Sequence, residues 1–299
     1  MSFFIIMYYG TKIEECERFF EEDPMKVRER MLPPGWYPDE KEEVLEEIAG
    51  WKRLERRLST PAVACIVPHA GWYFSGELAF MGIRSLDPEA EVVAVVGGHL
   101  SERSPLLYMP EDGLSTPLGD LPVERPLVET LREHVPTEPD VYPDNTVEIQ
   151  LPLVKYCFPH ASVVGLRCPP LLEVAERTAR VLYDYGKETG KKPVVIGSTD
   201  LTHYGPQYGF TPVGVGRQAE EWVRFSNDQA IIEAFTSLDT ARALDLALTR
   251  SAACSCGGAA VAMEYARLCG REKGTLLAYM QSSEKHPSRS FVGYAAVAF

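Results

Sequence analysis

Positive charge, long apolar runs and histidine are all scarce in this chain. Thirty Lys and Arg residues face 43 Asp and Glu, for a formal net charge of -13. That balance argues against a nucleic-acid partner, which needs a concentrated basic face. The densest positive stretch, Lys52-Arg53-Leu54-Glu55-Arg56-Arg57, is interrupted and preceded by acids and reads as one solvated helix face. No segment approaches the roughly 18 uninterrupted apolar residues of a membrane span. Phe3 to Tyr9 is apolar, but it is too short for a secretory signal and has no basic flank. A cytoplasmic protein is therefore expected, with no membrane partner. The cysteines number seven, an odd count, and no second pair stands at zinc-finger spacing. Reduced thiols are the default in that compartment. Internal repeats, low-complexity tracts and evident linkers are also missing.

What is present is ordinary for a globular protein: 45% apolar and 24% charged residues. Residues 1 to 38 look irregular, and Pro33-Pro34-Gly35-Trp36-Tyr37-Pro38 cannot continue a helix. That stretch reads as an arm across the core, anchored by Trp36 and Tyr37. Asp39 to Leu58 is expected to be helical, with Val44, Leu45, Ile48, Trp51 and Leu54 on one face. Buried strands are expected at Ala62 to Val67, Glu91 to Val96, Ser162 to Arg167 and Pro193 to Gly197. Helices are expected from about Glu77 to Leu86, Thr146 to Phe158 and Leu171 to Gly186, and over several segments after Arg217. Strands alternating with helices predict a single α/β domain, residues 61–299, with a mostly parallel central sheet flanked by helices. Residues 1–60 then form an arm and helix packed on that core.

The chemistry gathers where strands end. Val67-Pro68-His69-Ala70-Gly71 leaves the first strand, and Gly71 and Gly76 would let backbone approach a bound group. The second strand ends in Gly97-Gly98-His99, and the fourth leads into Asp200-Leu201-Thr202-His203-Tyr204. Three of the six histidines thus follow core strands. In a parallel sheet those ends share one edge, where binding crevices form. Each also has a plainer reading, as a hydrogen-bonded turn histidine or an N-cap aspartate. If the turn after Gly197 enters a helix, Asp200 and His203 share a face and can act as orienting carboxylate and general base. His134, His160 and His286 read as surface residues. Cys254-Ser255-Cys256-Gly257 opens a helix, where backbone dipoles lower a thiol's pKa and favour a nucleophile or a metal ligand. The alternative is a pair of small residues in a close-packed turn.

In order along the chain stand Pro68-His69-Ala70-Gly71 with Ser75-Gly76, then Thr116-Pro117-Leu118-Gly119-Asp120 and Val147-Glu148-Ile149-Gln150-Leu151-Pro152. Asp200-Leu201-Thr202-His203-Tyr204, Cys256-Gly257 and Val292-Gly293-Tyr294-Ala295-Ala296 follow. Together they resemble the MEMO family, also called AmmeMemoRadiSam system protein B, over roughly residues 62 to 299. The resemblance implies a fold similar to the class III, LigB-type extradiol dioxygenases. It implies a metal pocket of His69, His99 and Cys256, with Asp200 and His203 beside it. The implied cofactor is a divalent metal, iron(II) first and copper or zinc next, since a thiolate softens the donor set. The family name also points to AMMECR1-like and radical-SAM partners. Three departures stand out. Gly97-Gly98-His99 is one residue shorter than the family's run, Asp144-Asn145-Thr146 replaces a family histidine, and Cys254 is an extra cysteine, a candidate redox partner for Cys256.

Two functions of different class follow, with a weaker third. The first is a metal-dependent oxidoreductase, non-haem-iron or copper, with His203 as base and Asp200 orienting it. Trp72, Tyr73, Asn145, Glu148, Tyr204 and Tyr208 would then contact a small-molecule substrate. The second is a module that binds a ligand, a peptide or a redox metal in the same pocket without turnover. The third is a cysteine hydrolase using Cys256 with His203 and Asp200.

Overall fold

The computed structural model describes residues 25–51 and 60–299. Helical expectations for Lys52 to Leu58, and every reading of residues 1 to 24, lie outside the described residues. Strands β1 to β6 are Val27–Arg28, Ala64–Val67, Val92–Gly97, Leu106–Tyr108, Gly113–Leu114 and Leu121–Pro122. Strands β7 to β12 are Thr137–Pro139, Ser162–Arg167, Pro193–Ser198, His203–Tyr204, Thr275–Gln281 and Phe291–Ala298.

A nine-stranded sheet runs β10-β12-β2-β9-β3-β8-β4-β7, with β11 paired to β12. Its four central strands, β2, β9, β3 and β8, are mutually parallel. Their residues are almost all fully buried, so each reads as a continuous apolar run rather than an alternating one. The sheet turns antiparallel where β12 joins β2 and where β4 joins β8. Helices cover the sheet, as expected for an α/β fold. Among the described residues no helix is long and apolar enough to cross a membrane.

Register places the site. Val67 lies opposite Ser198, and Val96 lies opposite Gly197. The continuations of these strands, carrying His69, His99 and Asp200, therefore leave the same edge side by side. Helix Cys256–Leu268 is buried along nearly its whole length and crosses the sheet behind them. It comes this close because its second and third residues are glycines. A Cβ on Gly258 would stand 2.1 Å from the Val96 carbonyl oxygen, and one on Gly257 2.1 Å from that of Cys168.

Strand β1 pairs with β5, Leu32 and Tyr37 are buried, and the Trp36 carbonyl accepts from the Trp72 amide. Other boundaries shift. The helix after His69 spans Trp72–Arg84, five residues earlier than expected. The Thr146 to Phe158 segment is two helices, Asn145–Glu148 and Leu151–Cys157, broken before Pro152. The space a side chain would fill at Gly76 is taken by the Trp51 ring, 2.7 Å from an ideal Cβ, so this glycine serves packing and not a ligand.

Candidate functional site

His69 is 1% exposed, and all its polar atoms are engaged. Its amide donates to Asp200 Oδ1 at 2.7 Å, and Asn145 Nδ2 donates to its carbonyl at 2.9 Å. Nδ1 lies 3.3 Å from Ser198 Oγ, and Nε2 lies 3.2 Å from Cys254 Sγ and 3.9 Å from Asp200 Oδ2. Burial, with His99 adding to it, pushes the imidazole down to about 3, so the ring is neutral.

His99 reaches the same point by a strained route. Its φ is 58°, one of three positive values outside glycine among the described residues. From that left-handed turn the ring lies within 4.9 Å of His69, centroid to centroid and edge-on. Behind it, Asp144 Oδ2 sits 3.1 Å from Nδ1, which leaves Nε2 to the pocket. Arg167 also bonds Asp144 and grips Asp140 through two nitrogens. Burial alone would raise Asp144, but hydrogen bonds from His99 and Thr146 outweigh it and hold the carboxyl down to about 2. A carboxylate fixing the far nitrogen of a histidine is the outer-shell pattern common to metal-ligating imidazoles.

The thiol in this cluster belongs to Cys254, where family resemblance places Cys256. Ligand atoms of His69, His99 and Cys254 lie within 4.8 Å of one another, as do those of Asp200, His203 and Cys254. Cys256 is the first residue of its helix and is 2% exposed among core side chains. Burial pushes the Cys256 thiol up to about 12 and that of Cys254 well above its usual value, where Asp200 adds to the effect. The lowering expected at a helix N-terminus is thus overridden by desolvation.

Asp200 and His203 do not share a helix. The chain stays irregular after β9, and His203 opens β10 opposite Val292. The Asp200 carboxyl is raised by burial, against the pull of His203 and of the backbone amide of His69. Burial lowers His203, and Asp200 opposes it. His203 Nδ1 faces the Leu201 carbonyl at 3.2 Å, so Nδ1 carries the hydrogen and Nε2 offers its lone pair to the pocket.

His69, His99, Asp200 and His203 line a cavity of about 390 Å³, walled by Trp36, Phe74, Asn145, Tyr208 and Tyr294 and by the 282–290 loop. A second cavity, of about 240 Å³, meets the cluster from the other side at His99, Cys254 and Cys256.

Of the expected substrate contacts, Asn145 and Tyr208 line the pocket, whereas Trp72, Tyr73, Glu148 and Tyr204 do not. The Trp72 indole is buried and donates to the Ile149 carbonyl. Tyr73 is 61% exposed and faces outward. Glu148 accepts from the amides of Met31 and Leu32 and from the Tyr37 hydroxyl, which fastens the arm. Tyr204 is fully buried among Phe210, Trp222 and Phe291, with its hydroxyl donating to the Gly214 carbonyl. Sequence reasoning missed Phe74, Tyr294 and the 282–290 loop, and it treated His286, which lines the mouth, as simple surface. Phe74 and Tyr294 stand beside or within quoted motifs but are residue types that do not mark chemistry, and the 282–290 loop carries no motif.

A family model described as Memo-like protein matches residues 28–298. A MEMO1 family protein of Thermococcus onnurineus is 28% identical, with 91% of this chain and 99% of the relative aligned. One from Archaeoglobus fulgidus is also 28% identical, over 91% and 99% respectively. An uncharacterised protein from Escherichia coli K12, of known structure, superposes with a TM-score of 0.47 at 12% identity, covering 78% of this chain and 98% of that one.

Proposed function

This chain belongs to the Memo-like protein family, and from that premise we propose that it holds one divalent metal ion through His69, His99 and Cys254. The observation carrying this reading is the mutual approach of the three donor atoms, within 4.8 Å, where one cavity reaches His69 and His99 and a second reaches His99 and Cys254. The donor chemistry fits. His69 is neutral, its Nε2 points at the thiol, and His99 is oriented from behind by Asp144. The set that replaces the histidines with Asp200 and His203 is less suited, because Asp200 Oδ1 is already taken by the His69 amide. Two imidazoles and a thiolate suit iron(II), copper or zinc.

On this site we favour a metal-dependent oxidoreductase of dioxygenase type that acts on a small aromatic molecule. Bound there, the ion would supply a Lewis-acidic, redox-capable centre. Trp36, Phe74 and Tyr208 offer flat apolar walls for such a substrate. The free Nε2 of His203 would take a proton from it, and the adjacent Asp200 carboxylate would stabilise the imidazolium so formed. A second reading, a module that binds metal and ligand without turnover, is favoured by Asn145. This residue stands where the family has a histidine, and its amide is committed to the His69 carbonyl. A cysteine hydrolase draws no support, since Cys256 is buried and its thiol is pushed up to about 12. Free cysteines at positions 65, 168, 254, 256 and 269 accord with the cytoplasmic location we propose.

Element analysis after anaerobic iron(II) loading tests the site. One ion per chain is expected in the wild type and none in His69→Ala; full retention in that variant would overturn the assignment. Oxygen uptake by the loaded protein with catechol-like compounds separates turnover from the binding module.

A further inference from the structure

The helical segment 217–236 is interrupted by a π-turn, Val223–Asn227, and this places two polar side chains in the core behind the site. Asn227 is 1% exposed and Asp228 fully buried. Polar groups buried so deeply cost stability unless they are matched, and π-turns recur where a local function demands one. Both side chains converge on Thr202. Asn227 Nδ2 donates to Thr202 Oγ1 at 2.9 Å, and Asp228 Oδ1 accepts from the Thr202 amide at 3.2 Å and from its hydroxyl. Thr202 lies between Asp200 and His203. The second hydrogen of Asn227 Nδ2 goes elsewhere, to the Arg250 carbonyl at 3.1 Å.

That carbonyl ends helix Thr240–Arg250, where the last carbonyls have no partner within the helix. The next residue, Ser251, adopts φ 50°, a left-handed conformation that strains a non-glycine residue. From there the chain runs through Ala252 and Ala253 to Cys254. Asn227 therefore caps the point at which the Cys254 segment turns toward the pocket, and with the same nitrogen grips the turn that carries Asp200 and His203. The two segments also touch directly, through Cys254 N to Asp200 O at 3.2 Å and Ser255 N to Thr199 Oγ1 at 3.1 Å.

We propose that Asn227 is a positioning residue that sets Cys254 against His69 by clamping the Arg250 helix end to Thr202, with Asp228 as the second anchor of Thr202. The inference rests on the donor cluster proposed above, and it concerns the metal-free chain as much as the loaded one. Without the clamp the strained turn at Ser251 can relax, and Cys254 moves away from His69.

The test compares wild type with Asn227→Leu, which keeps the volume and removes both donors. Cys254 labelling by a small thiol reagent is followed in metal-free protein by mass spectrometry, with buried Cys256 as internal reference. Loss of two hydrogen bonds is expected to raise the Cys254 to Cys256 labelling ratio about tenfold. Cobalt(II) loading gives a second readout, the thiolate-to-cobalt charge-transfer band, which weakens in the variant while the thermal midpoint stays near wild type. An unchanged labelling ratio in folded Asn227→Leu overturns the proposal. Should that variant not fold, Thr202→Val, which removes the hydroxyl that accepts from Asn227 and donates to Asp228, is judged by the same ratio. A wild type lacking the cobalt–thiolate band would count against the metal site, and the labelling ratio would still decide the clamp.

Discussion

At neutral pH His69 is uncharged, because burial pushes it down to about 3, while Cys254 keeps its proton, because burial pushes the thiol up. A metal entering this cluster must therefore displace a proton from the Cys254 sulfur and none from His69. Metal affinity should rise about tenfold per pH unit across the neutral range, measured by competition with a chelator. An affinity independent of pH would contradict thiolate ligation. Two groups shift the stability profile in opposite directions. His69 titrates at 6.5 unfolded and about 3 folded, so its contribution is complete above 6.5 and is lost as pH falls toward 3. Asp228 behaves oppositely, since burial raises it from 3.8 to about 7 against hydrogen bonds from Thr202 and Tyr279 and the nearby charge of Arg224. Its folded form holds a proton that the unfolded chain has lost, so its contribution is present below 3.8 and is lost as pH rises toward 7. Asp228→Asn should flatten that fall in denaturant titrations over this interval. The strand-end histidines and Asp200 are legible in the sequence because each follows an apolar run at a fixed offset. The choice between Cys254 and Cys256 is not legible. It depends on which residue starts the helix, and a shift of two positions exchanges a pocket thiol for a core one.

Secondary elements here act through what they fasten. Glu148, on the short helix Asn145–Glu148, accepts from two arm amides and one hydroxyl. Glu148→Ala strands these donors and should cost about 3 kcal/mol in denaturant titration. It should also make the arm, residues 25–38, accessible to protease, and an unchanged midpoint would show that the arm is held by packing alone. The same arm brings Trp36 into the pocket wall, which couples its attachment to the shape of the site. Helices and core strands were readable from apolar spacing, apart from boundaries. The Asp200–His203 segment was not, because the pairing of His203 with Val292 on β12, 89 positions later, overrides a local helical reading. The split at Ile149-Gln150 was signalled by Pro152 alone, which marks a break without showing that Glu148 on its near side points to the arm.

The molecule as a whole brings its chemistry to one edge of a parallel four-strand core. Two loops from elsewhere complete it, one with Asp144 and Asn145 and the other with Cys254. The α/β class and the strand-edge location follow from alternating buried strands and helices, and the family match over residues 28–298 agrees with that architecture. What sequence could not supply is the closing geometry: the left-handed turn at His99, the glycine contacts that lower helix Cys256–Leu268 onto the sheet, and the π-turn behind Thr202. The account stands or falls on which thiol meets the metal. X-ray absorption at the metal edge of the loaded protein, with one sulfur neighbour near the ~2.3 Å typical of metal–thiolate bonds, measures this directly. The account predicts that the sulfur signal disappears in Cys254→Ser and persists in Cys256→Ser. Sulfur retained in Cys254→Ser, or absent from the wild type, would contradict it.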